Sequence, residues 1–339
     1  YYRNKMEYSF SNQRWKTASE VRDQSFIPEA NALGLHPPRF FNKVVDIEHC
    51  WLQKQPANEI RNFVRQYALQ HNLEFFDPQH HRGFLRNLIL RNTTAGEWMV
   101  IVSFFREDID ARLSLLDALV ATFPDIVSLH YVINGKKNDT LFDQDIICYH
   151  GQDYITETLG HCSFRIRAKS FFQTNPFQAR HLYDITREFC GLTGNETVYD
   201  LYTGTGTIAI YVSDLAGQVV GIETIEDAIR DAKENAHINE VSNTSFYVGD
   251  VKSVFSDELM QKHGRPEVLI TDPPRGGMHE QVVQTILQGA PEKIVYISCN
   301  PSTQARDLAM LKGAYAVQKM QPVDMFPHTN HIENVALLI

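Results

Sequence analysis

A thiol, several carboxylates and a glycine loop stand where their chemistry could converge. Cys299 ends the apolar run Ile294-Val295-Tyr296-Ile297-Ser298 and is followed at once by Asn300-Pro301. Asp272, in Asp272-Pro273-Pro274-Arg275, closes the run Val268-Leu269-Ile270. In an open α/β sheet, ligands gather at the carboxyl ends of the strands. A thiol and a carboxylate are therefore aimed into one cleft. Asp200-Leu201-Tyr202-Thr203-Gly204-Thr205-Gly206-Thr207 follows another strand and opens a helix. Glycines there let backbone approach a ligand closely, and a helix N-terminus favours negative charge. NAD, a nucleotide or S-adenosylmethionine could each use such a loop, but the third glycine of the dinucleotide fingerprint is absent. Glu223, at the end of the next strand, suits ribose hydroxyls. Asp250, after Val248-Gly249, could accept from an adenine amino group.

Each of these groups also has a plainer reading. A cysteine is more often a small buried hydrophobe than a nucleophile. At the start of a helix from about residue 302, however, the thiol of Cys299 is expected to gain thiolate character. A strand ending in Asp-Pro-Pro often marks amino-group methylation in S-adenosylmethionine enzymes. Arg275 stands where an aromatic ring would then stack on the base, and Asp272 could equally cap a turn. Glu333 lies beside the apolar residues 335–339, so partial burial is expected to raise its pKa and suit it as a base. The alternative is a solvated acid at the start of an edge strand. His328 and His331 have no third partner at ligand spacing, so no metal is expected. A glycine-rich cofactor loop combined with a cleft thiol points to covalent chemistry.

The elements that must position these groups are legible in the C-terminal half. Strand patterns at 198–201, 219–222, 246–248, 268–270 and 294–298 alternate with helical patterns at 208–215, 225–238, 251–261 and 281–287. A helix at 302–311 leads to final strands near 314–320 and 335–339. This alternation predicts a mostly parallel sheet covered on both faces. The N-terminal half is irregular. Strands are expected at 1–10, 41–47, 98–105, 126–133 and 164–168, with helices at 58–69 and 109–123. The change of pattern divides the chain into an α+β domain, residues 1–167, and an α/β domain, residues 168–339.

Composition sets limits. The chain has 339 residues, enough for two cores, and its 43% hydrophobic and 22% charged content are those of an ordinary globular protein. No apolar run approaches the roughly 18 residues needed to cross a bilayer, and no secretory signal is apparent at the start. The chain begins without Met, in what reads as mid-strand, so a preceding piece is expected to be missing. Five cysteines, scattered and without a Cys-x-x-Cys pair, suit a reducing cytoplasm better than a disulfide framework. The net charge of −9 is uneven: residues 1–170 carry 20 basic and 20 acidic side chains, residues 171–339 carry 12 and 21. Any nucleic-acid binding must come from a local patch. Trp15-Lys16 and Arg39-Phe40-Phe41-Asn42-Lys43 mix rings and cations as such a surface requires.

Taken together, these motifs resemble the RNA uracil-5 methyltransferases of the RumA/TrmA type. The likeness covers the α/β half in order: Ser170-Phe171-Phe172-Gln173-Thr174-Asn175, the glycine loop, Asp272-Pro273-Pro274-Arg275, Ile297-Ser298-Cys299-Asn300-Pro301, and Phe326-Pro327-His328-Thr329 with His331-Ile332-Glu333. It implies a Rossmann-like methyltransferase domain at the C-terminus that uses S-adenosylmethionine. It implies that Cys299 is the nucleophile and Glu333 the base, with Gln173, Tyr202, Gly204, Glu223, Asp250 and Asp272 around cofactor and uracil. Many relatives hold an iron–sulfur cluster on four N-terminal cysteines. Here Cys50 could be an orphan ligand of that set, and this chain supplies no others.

The chemistry needs these groups. C5 of uracil is a poor nucleophile until a thiolate adds at C6 and pushes electron density onto it. After methylation the C5 proton must leave, so a base is required within reach of C5, on the face opposite the outgoing thiol. The expected substrate is a uridine in RNA, 23S rRNA ahead of tRNA, flipped from its stack and gripped by the N-terminal half. A cytoplasmic monomer is expected, with no membrane or DNA partner. The competing expectations are a nitrogen methyltransferase acting through Asp272-Pro273-Pro274-Arg275, and an RNA-binding module with a relic cofactor site.

Overall fold

The computed structural model describes residues 1–23 and 30–339. Two compact units divide the chain, Tyr1–Thr156 with Arg167–Lys169, and Glu157–Ile166 with Ser170–Ile339. This division departs from a single cut at 167/168 in two places: Ala168 and Lys169 group with the first unit, and residues 157–166 with the second. Side chains explain why. Asn239 and Asn235 accept from the backbone N–H of Ser163 (2.8 Å) and Arg165 (2.9 Å), and Cys162, Phe164 and Ile166 are buried.

In the first unit a seven-stranded sheet runs in the order β3-β2-β1-β4-β5-β6-β7. Its strands are β1 (Lys5–Ser11), β2 (Ala32–Leu35), β3 (Val45–Asp46), β4 (Leu85–Asn92), β5 (Trp98–Phe104), β6 (Ile126–Ile133) and β7 (Ile147–Gly151). All pairings are antiparallel except β5 with β6. Those two are joined by α3 (Ile109–Thr122), the crossover a parallel pair requires. Helix α2 (Ala57–Gln70) shares its core with α3: Ile60, Val64, Leu115 and Leu119 pack with Tyr8, Phe10, Leu88 and Trp98. A short α1 (Ala18–Arg22) begins on the capping box of Thr17 and Glu20. The sequence reading missed β2, β4 and β7. The expected strand at 41–47 shrinks to Val45–Asp46, because residues 37–43 form a turn and loop instead.

The hairpin β8 (Tyr154–Leu159) and β9 (Cys162–Arg167) precedes α4 (Pro176–Cys190). Asn175 caps α4 at the backbone N–H of Gln178, Pro176 opens it, and Gly191 ends it in the left-handed region. A second seven-stranded sheet follows, ordered β12-β11-β10-β13-β14-β16-β15. It is built from β10 (Thr197–Leu201), β11 (Gln218–Glu223), β12 (Thr244–Val248), β13 (Val268–Thr271), β14 (Lys293–Ser298), β15 (Val317–Val323) and β16 (Glu333–Leu338). The first five are mutually parallel. They are nearly continuous apolar runs, as strands covered on both faces must be. The covering helices are α5 (Thr207–Val212), α6 (Glu226–Ile238), α7 (Val251–Val254), α8 (Asp257–His263), α9 (Glu280–Gly289) and α10 (Pro301–Leu311). The single helix expected at 251–261 is two, because Ser256 caps a fresh start by accepting from Leu259.

Strand order reverses between β10 and β13, which places the ligand crevice at their carboxyl ends. The last strand is the exception to the parallel rule. β16 runs antiparallel between β14 and β15, and this reversal decides the geometry of the site.

Candidate active site

The register of β14 against β16 pairs Ile297 with Val335 and Ser298 with Asn334. The next residues along the two strands are Cys299 and Glu333, and the charge of Glu333 acts on the thiol. A strand ending and a strand beginning thus bring a thiol and a carboxyl to the same edge of the sheet. β13 lies on the other side of β14, with Thr271 opposite Tyr296, so Asp272 emerges at the neighbouring strand end. The sequence expectation started the last strand at 335. It begins two residues earlier and takes Glu333 into the sheet, which leaves this residue 5% exposed.

Around Cys299 the backbone is fixed by short-range bonds. Ser298 Oγ accepts from the N–H of Asn300 (3.1 Å), and Asn300 Oδ1 caps α10 at Ser302 (3.1 Å). Asn300 Nδ2 and Thr303 Oγ1 both donate to the carbonyl of Arg275 (3.1 and 3.2 Å). The Asp-Pro-Pro-Arg turn is thereby tied to the first turn of α10. Buried Asp307 holds the next stretch, accepting from the N–H of Met278 (2.7 Å) and the hydroxyl of Tyr296 (2.6 Å).

Electrostatics couple the three groups. Burial pushes the Glu333 carboxyl up to about 7, while Arg275 pulls it down. Burial, then the charges of Glu333 and Asp200, raises Asp272 well above the carboxylate range. The expected gain of thiolate character at Cys299 is not found. Burial and then the negative charges of Glu333 and Asp272 push its thiol upward, and Arg275 opposes them. Burial and the charges of Glu333 and Asp272 outweigh the dipole of α10 at the thiol, and the sequence does not display the strand pairing that brings those carboxyls in. Arg275 was read from sequence only as a missing aromatic; its charge acts on both Cys299 and Glu333. Asp200 was also overlooked as a site group. It is buried and raised to about 7, with Thr203 Oγ1 donating to it at 2.5 Å.

The glycine loop lies beyond the end of β10. Tyr202, Gly204 and Gly206 have φ of +66°, +56° and +75°, and the N–H of Gly206 donates to the carbonyl of Thr203 (2.9 Å). The two glycines are not equivalent. A Cβ on Gly206 would lie 2.9 Å from that of Ala232 and 3.1 Å from the Phe246 ring, whereas one on Gly204 would meet nothing within 4 Å. Gly206 is required for packing, and Gly204 borders open space. Half-buried Glu223 accepts from the N–H of Gly204 (3.1 Å) and of Ile225 (3.0 Å), which leaves lone pairs for a diol. A small ligand carrying ribose hydroxyls fits this cradle.

Asp250 lies at the end of β12, exposed and paired with Lys252 Nζ at 3.1 Å. Gln173 is buried in the segment before α4. That segment is anchored by Asn175 Nδ2 to the carbonyl of Met325 (3.0 Å), in the loop that leads to Glu333. Cys50 is elsewhere: it is buried in the core of the first unit, where its N–H donates to Asn58 Oδ1 (2.7 Å). Among the described residues no three His, Cys, Asp or Glu side chains gather as metal ligands, around Cys50 or elsewhere. No helix among the described residues is long and apolar enough to cross a membrane.

The sequence model of the tRNA (uracil-5-)-methyltransferase family matches residues 93–339. A protein of Porphyromonas gingivalis named an uncharacterized RNA methyltransferase is 53% identical over 346 residues, spanning 100% of this chain and 74% of that protein. One of the same name from Bacteroides thetaiotaomicron is 53% identical over 341 residues, 100% of this chain and 75% of that one. Among solved structures, the Pyrococcus abyssi tRNA (uracil-54, C5)-methyltransferase in complex with S-adenosyl-L-homocysteine matches with a TM-score of 0.79 and 28% identity. That match covers 100% of this chain and 76% of the other.

Proposed function

Because the chain belongs to the tRNA (uracil-5-)-methyltransferase family, and is an S-adenosylmethionine-dependent RNA methyltransferase, we propose that it methylates C5 of a uridine in 23S rRNA through a covalent adduct on Cys299. The observation that carries this reading is the β14–β16 register, which brings a thiol and a raised carboxyl to the same edge of the sheet, with Asp272 at the next strand end. A nitrogen methyltransferase would need neither the thiol nor the base.

Bound S-adenosylmethionine supplies an electrophilic methyl group. The glycine cradle, Tyr202, Gly204 and Glu223, would hold it, with Asp250 and Gln173 at the margins. Cys299, having lost its proton to solvent, attacks C6 of the uracil, and the C5–C6 π electrons move onto C5 and O4. C5 then takes the methyl as its bond to the sulfonium sulfur breaks, and S-adenosylhomocysteine is left as the neutral thioether. Glu333 removes the C5 proton, the C5–C6 double bond re-forms, and the C6–S bond breaks to return the thiolate. Asp272, whose carboxyl is pushed upward by burial and then by Glu333 and Asp200, can donate to an oxygen of the ring when it holds its proton. Arg275 limits the accumulation of negative charge around the thiolate.

The reading assigns RNA gripping to the first unit, residues 1–167 as the sequence divides the chain, and takes the enzyme as a cytoplasmic monomer with RNA and not DNA as partner. A tRNA uridine is the second reading, favoured by the substrate named for the Pyrococcus abyssi enzyme.

Incubation with RNA containing 5-fluorouracil tests the chemistry. Fluorine at C5 cannot leave as a proton, so wild type should form a complex that survives denaturing electrophoresis, and Cys299→Ala should form none. A Cys299→Ala enzyme that still methylates RNA would overturn the adduct. Mapping 5-methyluridine in rRNA and tRNA, with and without the gene, decides the target.

A further inference from the structure

The first unit carries a cleft that the methyl-transfer chemistry does not use. After β2, Pro37 and Pro38 stiffen the chain, and the N–H of Phe40 donates to the carbonyl of Pro37 at 3.1 Å. Arg39, inside this turn, takes a φ of +71°. Beside the turn opens a cleft of about 710 Å³, lined among others by Arg39, Phe41, Phe76, His81, Arg86 and Lys137. That volume is within the ~300–1,000 Å³ typical of ligand pockets.

Two consecutive rings stand at its rim in contact with water: Phe41 is 74% exposed and Phe40 46%. Single exposed phenyl groups are ordinary, but adjacent ones beside a concave surface mark a binding site. Phe40 is braced edge-on by Trp15 at 5.0 Å, and Lys43 Nζ lies 5.7 Å from the Trp15 ring. The wall is cationic. Arg86, 3% exposed, lies over the faces of Phe76 (4.9 Å) and Phe105 (5.8 Å) and donates to the carbonyls of Asn134 and Lys136. It has no carboxylate at ion-pair distance among the described residues, and Asp139 acts on it from farther off. Asp139 is the one acid of the lining.

Free ring faces set among cations match a nucleobase with its phosphate. Aromatic faces stack on any base, and arginine and lysine hold the backbone. We propose that this cleft binds an unpaired nucleotide of the RNA substrate, its base on Phe41 and its phosphate held by Arg39 and Lys137. The proposal rests on the RNA reading above and adds a second contact on the same substrate.

The test uses the full chain and a fluorescein-labelled, single-stranded 12-nucleotide RNA of mixed sequence, followed by anisotropy. Phe41→Ala should weaken binding by about 5- to 150-fold, the effect of losing one base–ring stack, and Phe41→Trp should restore it. Arg39→Ala with Lys137→Ala should lower the slope of log K against log salt by on the order of 1.4, two phosphate contacts on a single strand. A blunt RNA duplex of the same sequence should respond far less to Phe41→Ala. Phe41 is exposed, so its loss does not threaten the fold, and unchanged S-adenosylmethionine titration verifies that. If wild type methylates RNA and Phe41→Ala binds the oligonucleotide within twofold of it, the cleft is refuted and the methyltransferase reading stands. If wild type neither binds nor methylates RNA, both fall. If duplex and single strand weaken alike, or Phe41→Trp fails to restore binding, base stacking is wrong.

Discussion

Glu333→Gln keeps the size and polarity of the side chain and removes its charge, so it separates two consequences of one buried carboxyl. The first is stability. The folded carboxyl titrates at about 7 against an ordinary 4.5, which corresponds to about 3 kcal/mol at 1.36 kcal/mol per pH unit. Between pH 4.5 and 7 the unfolded chain gives up this proton and the folded one keeps it. Wild-type stability therefore falls as pH rises through that window, and above pH 7 it lies about 3 kcal/mol lower than it would without the shift. Glutamine does not titrate. The variant should match wild type near pH 4.5 and exceed it by up to about 3 kcal/mol at pH 8, with relief of Asp272 acting in the same direction. The second consequence is chemical. Loss of a general base costs about 10²- to 10⁴-fold in turnover, and the methylated adduct on Cys299 should persist for want of a group to take its C5 proton. Urea unfolding at pH 5 and pH 8 reads the first effect. Denaturing electrophoresis of variant, ordinary RNA and S-adenosylmethionine reads the second. A stability difference equal at both pH values would refute the burial argument. Turnover within tenfold of wild type, with no stable complex, would refute the base assignment.

Two further outcomes follow from the same geometry. In wild type, lowering the pH below about 7 protonates Glu333, so release of methylated RNA in single turnovers should slow about tenfold per pH unit; a flat profile from pH 5 to 8 would argue against that group. Gly206→Val places a branched side chain at φ +75° against Ala232 and the Phe246 ring, which should cost about 2–4 kcal/mol in urea unfolding and abolish cofactor binding, and a variant as stable as wild type would show that the loop can relax.

Much of the second unit was legible because its strands are apolar runs and its helices carry their own caps. The groups at the strand ends could be named from where the apolar runs stop, and their expected roles from the family resemblance. Their mutual influence could not be read. Cys299 and Glu333 are 34 positions apart in sequence, and the insertion of β16 between β14 and β15 brings the carboxyl near enough to add to the effect of burial on the thiol. In the first unit β4 was invisible because Leu85-Arg86-Asn87-Leu88 does not look like the interior of a sheet. Its arginine is tolerated there through ring faces and backbone carbonyls brought in from distant segments. The stretch 41–47 misled in the opposite way: its rings suggested a strand, and they stand on a loop at a cleft rim.

The position of β16 also bears on how the molecule is made. Until residues 333–338 arrive, the apolar edge of β14 has no partner, and β15 has no sheet to join. An unpaired apolar edge is the part of a folding chain most apt to pair with another molecule. The strand that closes this edge is also the one that delivers Glu333. Protection from aggregation and arrival of the proposed base therefore come with the same strand, and a chain stalled before it should be both inactive and a ready target for chaperones.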